Sequence, residues 1–123
     1  MIRLTTQEED ALKAIWATGE GNVKDILGNM APPLPPYTTL ASTIKKLEKN
    51  GLISSRLIGN TYLYKSIITE SEYKKSYLKN MVESYFGNSY KNLVTFFAAE
   101  KKLTPEELRD LASLIEQNNN HNK

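Results

Sequence analysis

Thr38, Ser42, Lys45 and Lys49 recur at helical spacing within the stretch PPYTTLASTIKKLEKNGLISS, Pro35–Ser55. At about 100° per residue they fall on one side of a helix, with Thr39 and Lys46 beside them and Leu40, Ile44 and Leu47 opposite. Hydroxyls and ammonium groups in this arrangement suit recognition of a polyanion. The short hydroxyl side chains let the helix approach base edges, and the lysines supply charge to a phosphate backbone. The hydroxyls come first along the chain and the lysines later. A helix that enters the DNA major groove by its N-terminal end would use that order. Arg56, Asn60 and Tyr62 follow on a hairpin and are placed to reach a neighbouring phosphate or the minor groove.

Other chemistries are poorly served. The chain has no cysteine, which excludes disulfides, thiolate metal sites and a cysteine nucleophile. The one histidine, His121, lies in the polar run QNNNHNK and reads as inert. There is no phosphate loop, no nucleophile paired with a base and no metal-ligand spacing, so neither catalysis nor a cofactor or metal is expected. The acidic run Glu8–Asp10 suits a helix start, where negative charge opposes the helix dipole favourably.

The chain has 123 residues, of which 40% are apolar, enough for one small domain with an appendage. No basic start with an apolar run opens the chain and no stretch is long and apolar enough to span a bilayer, so a soluble cytoplasmic protein is expected. The net charge of +2 is unevenly spread. Residues 1–31 carry net −2, residues 36–65 net +4, residues 66–99 net +1 and residues 100–116 net −2. The central excess of positive charge points to an anionic partner for that segment.

The elements that must position these groups are legible from caps and periodicity. Thr6 and Glu9 stand in capping-box spacing ahead of a helix carrying Leu12, Ile15 and Trp16 on one face, ended by Gly19 and Gly21. Asn22 caps a short second helix with Val23, Ile26, Leu27 and Met30 inward. The run APPLPP breaks the chain, and the quoted helix follows from about Tyr37 to Asn50, with Gly51 at its left-handed end. LISSRLI and TYLYKSII, joined through Gly59-Asn60, read as a hairpin in which Tyr64 belongs to the core. Helix, helix, helix, hairpin is a winged helix-turn-helix, assigned to residues 1–68.

From Thr69 three amphipathic helices follow, the last with Thr104, Pro105 and Glu107 as explicit start signals. They offer more apolar surface than about 50 residues can cover alone, so a second copy is expected to cover it. Residues 69–116 are assigned as a dimerisation region, with Tyr77, Met81, Tyr85, Leu93, Phe97, Leu108, Leu111 and Ile115 at the interface, and residues 117–123 as a disordered tail. The fold class is mainly α with a small β-hairpin wing. Paired reading heads suit a palindromic double-stranded DNA site.

TTLASTIKKLEKNGLI, then Arg56, then GNTYLYKSIITESEY, together with EEDALKAIW upstream and NLVTFFAAEKKLTPEEL downstream, resembles the penicillinase-repressor family over nearly the whole chain. The resemblance implies a homodimeric winged-helix repressor of antibiotic-resistance or copper-homeostasis genes. For the β-lactam branch it implies inactivation by a membrane sensor metalloprotease, with the cut falling between Phe96 and Phe97. Two positions depart from the family pattern: Ala41 stands where a basic residue is usual, and Phe96 replaces the usual asparagine before the cut. The copper-responsive branch carries a cysteine-rich tail, and this chain has no cysteine, which excludes a copper sensor of that design.

A different reading of the same fold is a protein-interaction scaffold without specific DNA binding. The basic Thr/Ser/Lys face speaks against it, since such a scaffold would carry apolar residues there.

Overall fold

The computed structural model describes residues 3–121, leaving aside the side chains of Ile115 and of residues 118–121. It has two compact units that divide after Leu78. The first contains α1 (Thr6–Thr18), β1 (Glu20–Gly21), α2 (Val23–Leu27), α3 (Tyr37–Lys49), β2 (Ile53–Ile58), β3 (Thr61–Ser66) and the start of α4 (Glu70–Tyr85). The second contains the rest of α4, α5 (Tyr90–Ala99) and α6 (Pro105–His121).

The winged helix-turn-helix expected from the sequence is present, with one strand more. β1 pairs antiparallel with β3, Glu20 opposite Lys65 and Gly21 opposite Tyr64, giving a sheet of order β1-β3-β2. Two residues are too few for an alternating pattern, so the strand left no mark in the sequence. Gly21 fits because its backbone runs close to two side chains. A Cβ there would stand 2.7 Å from Thr18 Cγ2 and 2.8 Å from Asp25 Cβ.

The first helix starts one residue earlier than the Thr6/Glu9 reading proposed. Thr5 is the N-cap: the Glu8 N–H donates to Thr5 Oγ1 and the Thr5 N–H donates to Glu8 Oε1, both at 3.1 Å. Both threonines have a glutamate three residues on, so spacing alone could not choose. The observed register leaves Glu9 free to accept the Tyr73 hydroxyl at 2.8 Å.

The core of the first unit is built from Leu12 and Ile15 of α1, Ile26 of α2, Leu40, Ile44 and Leu47 of α3, and Ile53 and Tyr64 of the sheet. Tyr73 of α4 joins it, 5.8 Å from the Trp16 ring between centroids. The Trp16 Nε1–H is shared between Ser66 Oγ and the Ile68 carbonyl, both at 3.0 Å. These contacts carry the first unit past the residue-68 boundary of the sequence reading and into α4. An unbroken amphipathic pattern in α4 hides that division.

In the second unit Val82 and Leu93 are buried, and Phe86 meets Phe96 edge-on at 5.7 Å. The box at Thr104 and Glu107 forms as expected, with bonds of 3.0 and 3.1 Å. α6 then continues to His121, through residues the sequence reading gave to a disordered tail. Extending a formed helix orders one residue per added hydrogen bond, a smaller cost than nucleation. The end of the expected tail, residues 122–123, lies outside the described residues.

Gly21→Ala is expected to destabilise the first unit by about 1–3 kcal/mol, since the methyl must displace Thr18 or Asp25; urea unfolding of both proteins measures it. The Glu8 carboxyl is held below the usual carboxylate range, chiefly by the Thr5 backbone N–H. A depressed folded-state pKa adds stability above the unfolded value that is lost as pH falls through the folded one. The stability advantage of wild type over Glu8→Gln should therefore be full at neutral pH and shrink in acid, read from urea midpoints across that range.

Candidate nucleic-acid interface

α3 is the third element of the first unit, and its orientation is set by burial. Leu40, Ile44 and Leu47 are buried, while Thr38, Ser42, Lys45, Lys46 and Lys49 are exposed. Thr39 is half-buried and lines a cavity of about 730 Å³ between α1, the proline run and α3. Ala41, also half-buried, packs against the core. The helix closes with paired C-terminal bonds: the Leu52 N–H donates to the Leu47 carbonyl at 3.1 Å and the Gly51 N–H to the Glu48 carbonyl at 3.0 Å. Gly51 has φ +80°, the left-handed conformation this closure requires. It turns the chain directly into β2.

Glu48, the one acid in α3, is turned aside. Its carboxylate accepts the hydroxyl of Ser55 in β2. Around it Lys45, Lys49, Ser55, Tyr62 and Tyr64 line a recess between helix and wing. Tyr64 is buried, as the sequence reading placed it, and burial pushes its hydroxyl pKa up, with Glu48 adding to the effect. Lys46 stands on the other flank of α3, close enough to Glu8 to favour that carboxylate. The lysines thus divide: Lys45 and Lys49 face the wing side, and Lys46 faces α1.

The wing is a hairpin with the two-residue turn Gly59-Asn60, Gly59 at φ +61°. Asn60 and Tyr62 are exposed at and beside the tip. Ser55 lies opposite Tyr64 and Leu57 opposite Tyr62, on the sheet face towards α3. Arg56 belongs to the opposite face. It grips Glu20 of β1 with both ends of its guanidinium, Nε to Oε2 at 2.9 Å and Nη2 to Oε1 at 2.5 Å. Arg56, which the sequence reading gave to a neighbouring phosphate or the minor groove, is thus paired with Glu20 on the protein while its side chain stays exposed. Its partner lies 36 positions away in the unread strand β1, so no local signal could have revealed the pair. The hydrogen bond from Arg56 holds the Glu20 carboxyl below its ordinary range, with Lys65 contributing less.

The residues expected at a dimer interface are placed unevenly. Tyr77 is exposed in the first unit, its ring 6.3 Å from that of Tyr73. In the second unit Tyr85, Phe97 and Leu111 are exposed, and Met81 and Leu108 are half-buried. Leu93 is buried within its own unit and offers little surface to a partner; its helical neighbours left it no sequence mark distinct from theirs. The Ile115 side chain lies outside the described residues. Phe96 is 51% and Phe97 39% exposed, two turns or less from the end of α5. No helix among the described residues is long and apolar enough to cross a membrane.

The family model for "Penicillinase repressor" matches residues 4–117. The penicillinase repressor of Bacillus licheniformis is 20% identical over 122 residues, 98% of this chain and 95% of that protein. The methicillin resistance regulatory protein MecI of Staphylococcus aureus (strain N315) is 22% identical, covering 91% of this chain and 92% of the relative. The solved structure of Bordetella bronchiseptica BpsR overlaps more loosely, at 17% identity and TM-score 0.48, over 96% of this chain and 76% of that one. With the family model matched along nearly its whole length, and a winged helix-turn-helix to match, the chain belongs to the penicillinase repressor family of transcriptional regulators.

Proposed function

We propose that this chain is a dimeric repressor that grips a palindromic double-stranded operator through the outer face of α3. The observation that carries this reading is the composition of that face: hydroxyls at Thr38 and Ser42, then Lys45, Lys46 and Lys49, with Glu48 bonded away to Ser55. Such a face gains little from an apolar partner and much from phosphates. Thr38 and Ser42 are given the base edges, Lys45, Lys46 and Lys49 the backbone, and half-buried Thr39 a marginal contact. Asn60 and Tyr62 are given the neighbouring groove. The exposed Tyr85, Phe97 and Leu111 supply the surface that a second copy covers. The protein acts in the cytoplasm, where the operator is.

The names of the relatives extend the reading to β-lactam resistance genes. Release from DNA follows a cut between Phe96 and Phe97 by a membrane sensor metalloprotease. Both side chains are partly exposed near a helix end, where local opening costs less than at a helix centre. The cut would remove α6, and Leu111 with it, from the dimer.

Lys45→Ala with Lys49→Ala should weaken binding to every duplex and lower the slope of log affinity against log salt by about 2. Ser42→Ala should instead change which sequence is preferred. Fluorescence anisotropy at several salt concentrations separates the two, and unchanged lysine-variant binding would remove α3 from the interface.

For assembly and release, the full chain should sediment as a dimer at micromolar concentration, and a chain ending at Leu78 as a monomer. After β-lactam induction of the native host, the mass of the repressor should show a single cut next to Phe97. An intact chain that still leaves DNA would transfer release to a ligand or another partner.

A further inference from the structure

The fold bonds two of the three acids in the run Glu8–Asp10. Glu8 accepts the Thr5 amide and Glu9 the Tyr73 hydroxyl. Asp10 is exposed. With Gln7 and Lys13 of α1 it lines the cavity of about 730 Å³ that Thr39 also lines. Spacings of three residues bring these side chains to one side of the helix, each beside the next. Asp10 and Lys13 are thus neighbours, yet the two ion pairs among the described residues, Arg56–Glu20 and Lys74–Glu70, involve neither. The rest of the lining is largely apolar. Met30 and Leu40 contribute to it, together with the run from Pro32 to Pro36, in which Leu34 is 53% exposed. Proline has little backbone freedom to lose, so this part of the wall is formed before anything binds. The volume falls within the range of about 300–1,000 Å³ usual for small-molecule pockets, which join an apolar lining to a few polar groups.

We infer that this cavity is a binding site for a free α-amino acid with a large apolar side chain. Asp10 takes the ammonium group, Lys13 takes the carboxylate, and the side chain lies against Leu34 and the prolines. Charge makes the selection. Lys13 disfavours a simple amine and Asp10 a simple carboxylate, while a zwitterion satisfies both at once. Both charges are exposed and screened, so they discriminate more than they bind. Most of the affinity comes from the apolar side chain. For a ligand of this size that gives a dissociation constant of about 1 mM. Glycine, with the same charges and no side chain, is excluded. Thr39 and Thr43 bring α3 to the same cavity. The occupant therefore bears on the helix given to DNA above, although its binding does not depend on that reading.

A nitrogen-15 NMR titration of the full chain with L-phenylalanine tests this. The amide signals of Asp10, Leu34 and Thr39 should move together, with a midpoint of about 1 mM. 2-Phenylethylamine, 3-phenylpropanoate and glycine should each bind at least about fivefold more weakly. Asp10→Asn should weaken phenylalanine binding about threefold and reduce the penalty on 3-phenylpropanoate. Lys13→Gln should weaken it by a similar factor and reduce the penalty on 2-phenylethylamine. Leu34→Ser should weaken it about tenfold. All three substituted side chains are exposed, and an unchanged urea midpoint confirms the fold. Lys45→Ala with Lys49→Ala lies outside the cavity and should bind phenylalanine like wild type, whatever it does to DNA binding. The absence of any shift up to about 10 mM overturns the inference. So does equal binding of phenylalanine, the amine and the carboxylate, which would make the cavity a general apolar crevice. Shifts confined to α5 and α6 overturn it too, since they put phenylalanine on the exposed aromatic residues there.

Discussion

Leu40, Ile44 and Leu47 form a stripe that α3 can bury in one rotation only. Each such side chain is worth roughly 1.5–3 kcal/mol when taken fully from water. Turning the helix half-way round would expose all three and bury ammonium groups in their place, at a far larger cost. The stripe therefore decides which residues look outward before any partner is considered. Thr38, Ser42, Lys45, Lys46 and Lys49 are exposed because the other side is committed to α1, α2 and the sheet. The helix end reinforces the choice. The paired bonds at Gly51 and Leu52 fix where β2 leaves, and so where the wing stands relative to that face.

Charge is then sorted by pairing. Three acids near the basic segment are each occupied on the protein. Glu48 takes the Ser55 hydroxyl, Glu20 takes Arg56, and Glu8 takes the Thr5 amide. None of the three stands unbonded on the outer face of α3 as a competing anion. The first two pairings also change the wing. Arg56 is withdrawn to the far face, while Tyr62 stays beside Lys45 and Lys49. Counting charges along residues 36–65 gives the size of the positive excess but not its direction. The direction depends on strand alternation, because residues 55 and 56 point to opposite faces.

Much of this was legible from local signals. Caps at Asn22 and Thr104, the glycine at 51, the Gly59-Asn60 turn and the stripe of α3 all act within a few residues, and each took the form expected. What escaped depended on distance or on equal alternatives. Thr5 and Thr6 offered identical boxes, and in the observed register Glu9 accepts the Tyr73 hydroxyl from 64 positions away. β1 exists because β3 is there to pair with it. The division after Leu78 falls inside a continuous helix, since two different units use successive parts of one apolar stripe. The same limit holds on the hairpin: the buried stripe of α3 could be read directly, whereas the Arg56–Glu20 pair joins residues 36 positions apart.

Trp16 is the chain's single tryptophan. Its indole N–H bridges Ser66 and the Ile68 carbonyl, and its ring rests beside Tyr73. One chromophore thus touches the end of β3 and the start of α4 at once. Its emission colour and lifetime form a built-in optical gauge of that junction, with no dye attached and no competing indole elsewhere. Indole emission shifts when hydrogen-bond partners are exchanged for water. The spectrum of the native chain would therefore register any event that loosens the connection between the sheet and the helix that leaves it.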